Sequence, residues 1–200
     1  MNSRPTAGDT QAEPGDEGSI SATRRWVQQI VVDLNLCPFA RRRLESGGIR
    51  FACTAADSEA ALLEALHEDI LHLKQWPADA VATTLLIHPH CLNDFDEYNQ
   101  FLDSAEALLE MTDSVGELQI ASFHPHYRFA GTGAGDAENF SNRSPFPMLH
   151  LLREADVEHE LERYPDAERI PQRNIARLRE LGSEHMRQRL EACLDSSGTA

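Results

Sequence analysis

Basic residues are scarce in this chain. Eighteen Lys and Arg (18) stand against 33 Asp and Glu, a formal charge of -15, whereas phosphate backbones are bound through clustered Lys and Arg. The one basic run, Arg41-Arg42-Arg43, is short, so nucleic acid is not an expected partner. Long apolar runs are missing too: nothing approaches the roughly 20 residues that span a bilayer, and the N-terminus lacks the basic and apolar regions of a signal peptide. The expectation is a cytoplasmic protein without a membrane partner. The four cysteines, Cys37, Cys53, Cys91 and Cys193, form no CxxC pair, which argues against a disulfide framework or zinc ribbon and for reduced thiols. Gly-x-Ser-x-Gly, HExxH and a P-loop lysine are also absent, so a serine hydrolase, a zincin and a nucleotide-phosphate loop are not indicated.

What is present suits one core. A chain of 200 residues with 41% hydrophobic content predicts a single domain over residues 20–194, after a disordered tail at 1–19 rich in Gly, Pro, Ser, Thr and acids, and before a frayed end at 195–200. Three β-rich runs, 49–53, 81–87 and 118–123, alternate with helical patterns. Leu62, Leu66, Ile70 and Leu73 recur at helical spacing in the first, and Phe101, Ala105, Leu108 and Leu109 in the second, which Asn93 is placed to cap. Strand, helix, strand is the βαβ unit. The predicted class is therefore α/β (or α+β), with a small three-stranded parallel β-α-β-α-β sheet and helical additions at both ends. Those additions include a helix through Trp26, Ile30 and Leu34, one capped near Ser144 and closed at Tyr164-Pro165, and two more from Pro171 onward.

Two echoing triplets close the second and third strands: His88-Pro89-His90 and His124-Pro125-His126. If the strands run parallel, both leave the same edge of the sheet, where open α/β folds hold their ligands. His88 and His124 are candidate acid/base groups, and also candidate ligands of a divalent transition metal such as zinc. A glycine-rich stretch at 127–146 reads as a mobile flap over that edge. Its Arg128 and Arg143 offer guanidinium forks for a small anionic molecule. In the segment that follows, His150 and Glu154 share a helix face if that segment is helical. Cys37, just before Pro38 and a basic helix, is placed to act as an N-cap thiolate.

Longer strings point to a family. Asn-Leu-Cys-Pro-Phe-Ala (35–40), Thr-Thr-Leu-Leu-Ile-His-Pro (83–89), Gln-Ile-Ala-Ser-Phe-His-Pro (119–125), Phe-Ala-Gly-Thr (129–132) and Asn-Arg-Ser-Pro-Phe-Pro-Met-Leu-His-Leu-Leu-Arg-Glu (142–154) together resemble the uncharacterised bacterial proteins grouped as domain of unknown function 1415. The resemblance covers roughly residues 22–182. It implies no activity or cofactor, and it singles out Cys37, His88, His124, Arg143, His150 and Glu154 for testing. Separately, Cys-Pro-Phe before a basic helix is similar to the active-site start of omega-class glutathione transferases and some glutaredoxins. Three functions follow as expectations: an enzyme acting on a small anionic metabolite at a strand-end histidine site, a Cys37 thiol enzyme, and a non-catalytic metabolite or metal sensor.

Overall fold

A computed structural model describes residues 14–195. Helix α1 (Pro14–Trp26) runs into a π-helical turn (Val27–Val32), and α2 (Ala40–Glu45) leads to β1 (Ile49–Cys53). Then come α3 (Glu59–Gln75), β2 (Thr83–Ile87), α4 (Phe95–Met111), β3 (Leu118–Phe123), a 3-10 turn (Ala137–Ser141) and β4 (Met148–Arg153). Helices α5 (Glu154–Arg163), α6 (Ile170–Leu181) and α7 (Ser183–Leu194) complete the described residues. None of these helices is long and apolar enough to cross a membrane.

The α/β class is correct, but the sheet is neither three-stranded nor wholly parallel. Its order is β1-β2-β4-β3. β1 and β2 pair in parallel, while β4 lies antiparallel between β2 and β3 and pairs with both. The first half of the helix predicted between Ser144 and Tyr164 thus supplies the missing strand, and helix begins only at Glu154. Its run Met148-Leu149-His150-Leu151-Leu152 consists largely of good helix formers, and a short apolar run has no periodicity to separate a buried strand from a buried helix. Being central, β4 is covered on both faces and reads as a continuous apolar stretch.

Two further boundaries move. Residues 14–19 of the expected tail already belong to α1, where Ser19, Ala22 and Trp26 are buried; small residues at the core face hide the helical stripe. Residues 1–13 and 196–200 lie outside the described residues. Asp94, one position after the expected Asn93, caps α4 by accepting from the N–H groups of Asp96 and Glu97. Ser58 caps α3 through Ala61 N–H as the sequence indicates.

Side-chain alternation divides the sheet between two cores. One face presents Leu86, Leu118, Leu149 and Leu151 to α3 and α4, where Leu62, Leu66, Ile70 and Phe101 are almost wholly buried. Full burial of each such side chain is worth about 1.5–3 kcal/mol. The other face carries Phe51, Leu85, Ile87 and Met148 against Trp26, Ile30, Leu178 and Met186. The result is a sheet between two helical layers.

Candidate functional site

Each strand delivers its last residue and the residue after it to opposite faces. Ile87 belongs to the core beneath α1 and α6, and Phe123 packs with it, so His88 and His124 turn toward α4. Both rings are fully buried against Tyr98, at centroid separations of 5.8 and 5.1 Å. The shared sheet edge is as expected. β4 sits between the two strands, which spaces them about 10 Å apart at the usual strand separation.

The hydrogen bonds assign both rings. His124 Nδ1 accepts from His126 N–H (3.0 Å), so Nε2 carries the proton and donates it to the Leu92 carbonyl (3.1 Å). His88 donates from Nδ1 to the Cys91 carbonyl (3.2 Å), leaving Nε2 buried without a hydrogen-bond partner. Burial drives both rings down to about 4, against the opposing pull of those carbonyls. This donor set does not fit zinc or a similar metal. His124 has no nitrogen left over, and among the described residues no three His, Cys, Asp or Glu side chains are grouped as metal ligands.

The opposite face is where space opens. A cavity of about 890 Å³ lies between the sheet and a cover formed by the π-helical turn, α2, α5, α6 and the 127–146 loop. Leu85, Ala121, Phe123 and Leu152 line its sheet side, and Val31, Ala40, Phe129 and Val157 its cover. Among these apolar groups stands His150, held by Thr83 at 2.7 Å from Nε2 and by the Phe123 ring at 5.9 Å. Burial alone lowers this imidazole to about 4, so it is neutral at pH 7. No hydrogen bond engages its Nδ1.

Cys37 lines the same cavity, but its environment reverses the expected activation. The helix α2 has Phe39 as its N-cap, so Cys37 lies in the turn before it. Burial raises the thiol; the N–H groups of Phe39 and Ala40 oppose this, and the Glu160 carboxylate adds to it. The arginines that were to stabilise a thiolate are engaged elsewhere: Arg42 meets Glu160 (3.2 Å) and Arg43 meets Asp156 (3.3 Å), both on α5. Cys37 should therefore be alkylated by iodoacetamide at pH 6 more slowly than glutathione, as followed by peptide mass spectrometry. Labelling faster than glutathione would reinstate an activated thiolate.

The remaining candidates are dispersed. Arg143 does not project as an anion fork. Its guanidinium donates to the carbonyls of Tyr127 (3.1 Å) and Ala134 (2.6 Å) and rests over Phe140. Arg128 makes a surface ion pair with Asp96 at 3.8 Å. Glu154, no longer on a helix face with His150, opens α5 and donates its backbone N–H to Glu117. The 127–146 stretch is tied internally rather than arranged as a free flap. Asn139, fully buried, accepts from Phe129 N–H and the Thr132 hydroxyl and donates to Gly133 O.

The residues that sequence reasoning missed are Thr83, read only as strand, and Arg179, which pairs with Glu138 at 2.6 Å in the cavity wall. The alternation of β4 is the signal that would have found Thr83, because Leu152 is its register partner and His150 lies two residues away on the same face. The model of a family described as a protein of unknown function, DUF1415, matches residues 18–188. No curated protein and no solved structure matches the chain.

Proposed function

The chain belongs to the DUF1415 family, described only as proteins of unknown function, and we propose its function from the cavity: it binds a small, largely apolar, uncharged molecule there, with His150 as the polar contact. The observation that carries this reading is a neutral imidazole with one unengaged nitrogen in a largely apolar wall whose charged groups are paired. A volume of about 890 Å³ falls among small-molecule sites, which run to about 300–1,000 Å³ and join apolar walls to a few placed polar groups.

Charge argues against the small anionic metabolite that the loop arginines brought to mind. The three guanidinium groups in the wall are all committed: Arg43 to Asp156 and Glu160, Arg179 to Glu138, and Arg153 to the carbonyls of Leu73, Trp76 and Val81 at the end of α3. An anion would have to break one of these pairs. Catalysis is also disfavoured, because a base works best with its pKa near the operating pH and an imidazole at about 4 is a poor proton acceptor at neutrality. The Cys37 thiol is protonated for the reason already given. Ligand binding is the activity these groups support.

N-phenyl-1-naphthylamine, a neutral apolar fluorophore, should bind the full chain saturably with one site. Ala121→Phe, which fills the cavity from β3, should weaken binding by about tenfold or more with an unchanged circular dichroism spectrum. His88→Gln should leave the affinity alone, since that ring lies on the other face. Absence of saturable binding to the parent protein would refute the reading, and a loss confined to His88→Gln would move the site to the strand ends.

A further inference from the structure

The polarity of the site is set one residue behind it. Thr83 Oγ1 lies 2.5 Å from the Leu151 carbonyl oxygen and 2.7 Å from His150 Nε2. Two oxygens that close require a proton between them, and a carbonyl has none to give. The single hydroxyl proton of Thr83 is therefore directed at Leu151. What Thr83 presents to His150 is a lone pair, so Nε2 must carry the ring proton. A neutral imidazole has only one N–H, which leaves Nδ1 bare.

Thr83 is itself fixed. It is buried, it pairs in register with Ile49 on one side and Leu152 on the other, and it cannot turn its hydroxyl without orphaning a short contact. The ring is clamped in turn between that hydroxyl and Phe123. Asn174 also lines the cavity, and its amide N–H donates to the Leu36 carbonyl at 2.7 Å. Each arginine of the wall already has an acidic or carbonyl partner within the protein.

We propose that the cavity is selective for hydrogen-bond donors: its ligand is an uncharged, mostly apolar molecule carrying an O–H or N–H group, of the phenol, indole or alcohol class, which donates to His150 Nδ1. Thr83 is the positioning residue that makes this so. This inference rests on the cavity-binding reading and goes further by naming the ligand class. A molecule of the same shape that offers only an ether oxygen places a lone pair against the bare Nδ1, and a carboxylate adds a charge that no free cation balances. Both are rejected. The neutrality of His150 at pH 7 is consistent with this, because a protonated ring would present a donor instead and reverse the preference.

The test compares 1-naphthol with 1-methoxynaphthalene, each by displacement of N-phenyl-1-naphthylamine from the full chain at pH 7. 1-Methylnaphthalene serves as a control for size. The naphthol should bind about tenfold more tightly than either, as one net hydrogen bond allows. In Thr83→Val the proton on Nε2 loses its acceptor and the tautomer is no longer fixed, so the ratio of naphthol to 1-methylnaphthalene affinity measured in that variant should fall below about threefold. Where that variant does not fold, the parent answers directly: nitrogen-15 long-range NMR of ring-labelled protein should report His150 protonated on Nε2 alone. Protonation on Nδ1 overturns the proposal. Equal affinity for the three naphthalenes overturns the donor rule but leaves the cavity reading standing; binding of none of them, fluorophore included, overturns both.

Discussion

Acidification from pH 7 to pH 4.5 should strip this protein of a large part of its folding free energy. His88 is fully buried and is held down at about 4, against an ordinary value near 6.5. The unfolded chain therefore takes up its proton first as the pH falls. The stability contributed by the neutral ring is whole above about 6.5, is lost progressively between there and about 4, and changes no further below. At 1.36 kcal/mol per pKa unit the loss from His88 is about 3 kcal/mol. His124 adds a contribution of the same sign, reduced because its ring abuts the exposed His126 and is better screened. His150 adds in the same direction, again reduced by its open side.

Asp69 acts oppositely. Burial raises its carboxyl despite Arg50, so its burden on the fold is relieved as the pH falls. Its relief opposes the histidines as the pH falls, but one carboxyl stands against three buried imidazoles, so the net change remains a loss of stability. Urea unfolding at half-unit steps from pH 7.5 to 4.5 should show a steep fall in the midpoint. His88→Gln, which cannot titrate, should flatten that fall measurably. A parent midpoint independent of pH over this range would mean that the rings are not held neutral by the fold.

The second large effect is expected at Asn139. Its side chain makes three hydrogen bonds, to Phe129 N–H (3.1 Å), Thr132 Oγ1 (2.8 Å) and Gly133 O (2.8 Å), from a position with no exposure. Asn139→Ala leaves these three groups searching for partners, at about 1–3 kcal/mol for each that stays buried. A net destabilisation of about 3 kcal/mol follows, with water entering to satisfy part of the deficit. Because Phe129 and Thr132 are both cavity wall, the affinity for N-phenyl-1-naphthylamine should fall with the stability. Asn139→Asp separates the two functions of the amide, since it keeps the acceptor and removes the donor to Gly133. A change in unfolding midpoint within error for Asn139→Ala would show that the loop is organised by something other than this amide.

Much of the frame was legible because its periods are clean. Leu62, Leu66, Ile70 and Leu73 announce α3, and the two β-rich runs ending at His88 and His124 announce strands that leave one edge of the sheet. The face on which the site lies was not legible. Attention fell on histidines at the strand ends, which period-two alternation turns toward α4, whereas His150 could be assigned to the other face only once Met148–Arg153 was known to be a strand. Helix propensity and the local pattern both pointed the other way there, and only pairing with β2 and β3 decides the matter. Cys37 was expected as the N-cap of α2 and lies two residues before the actual N-cap, Phe39. Its ionisation was misread because burial, the main cause of its raised pKa, is a product of tertiary packing, and the Glu160 carboxylate that adds to it lies more than a hundred positions along the chain.

The place of β4 also orders events in time. β2 and β3 make no ladder with each other; the strand that is last in sequence joins them. A nascent chain that has emerged as far as Phe146 can pair β1 with β2 in parallel, yet β3 has no partner and its pairing edge stays open to other chains. Contacts of high sequence separation, such as Leu86 with Leu149, must form before the two halves become one sheet, which makes assembly late and slow relative to the helices. One six-residue segment thus serves as the fastener of the whole domain. Until it docks, neither the wall that holds His150 nor the one that holds His88 and His124 exists, so cavity and buried imidazoles appear together in a single step or not at all.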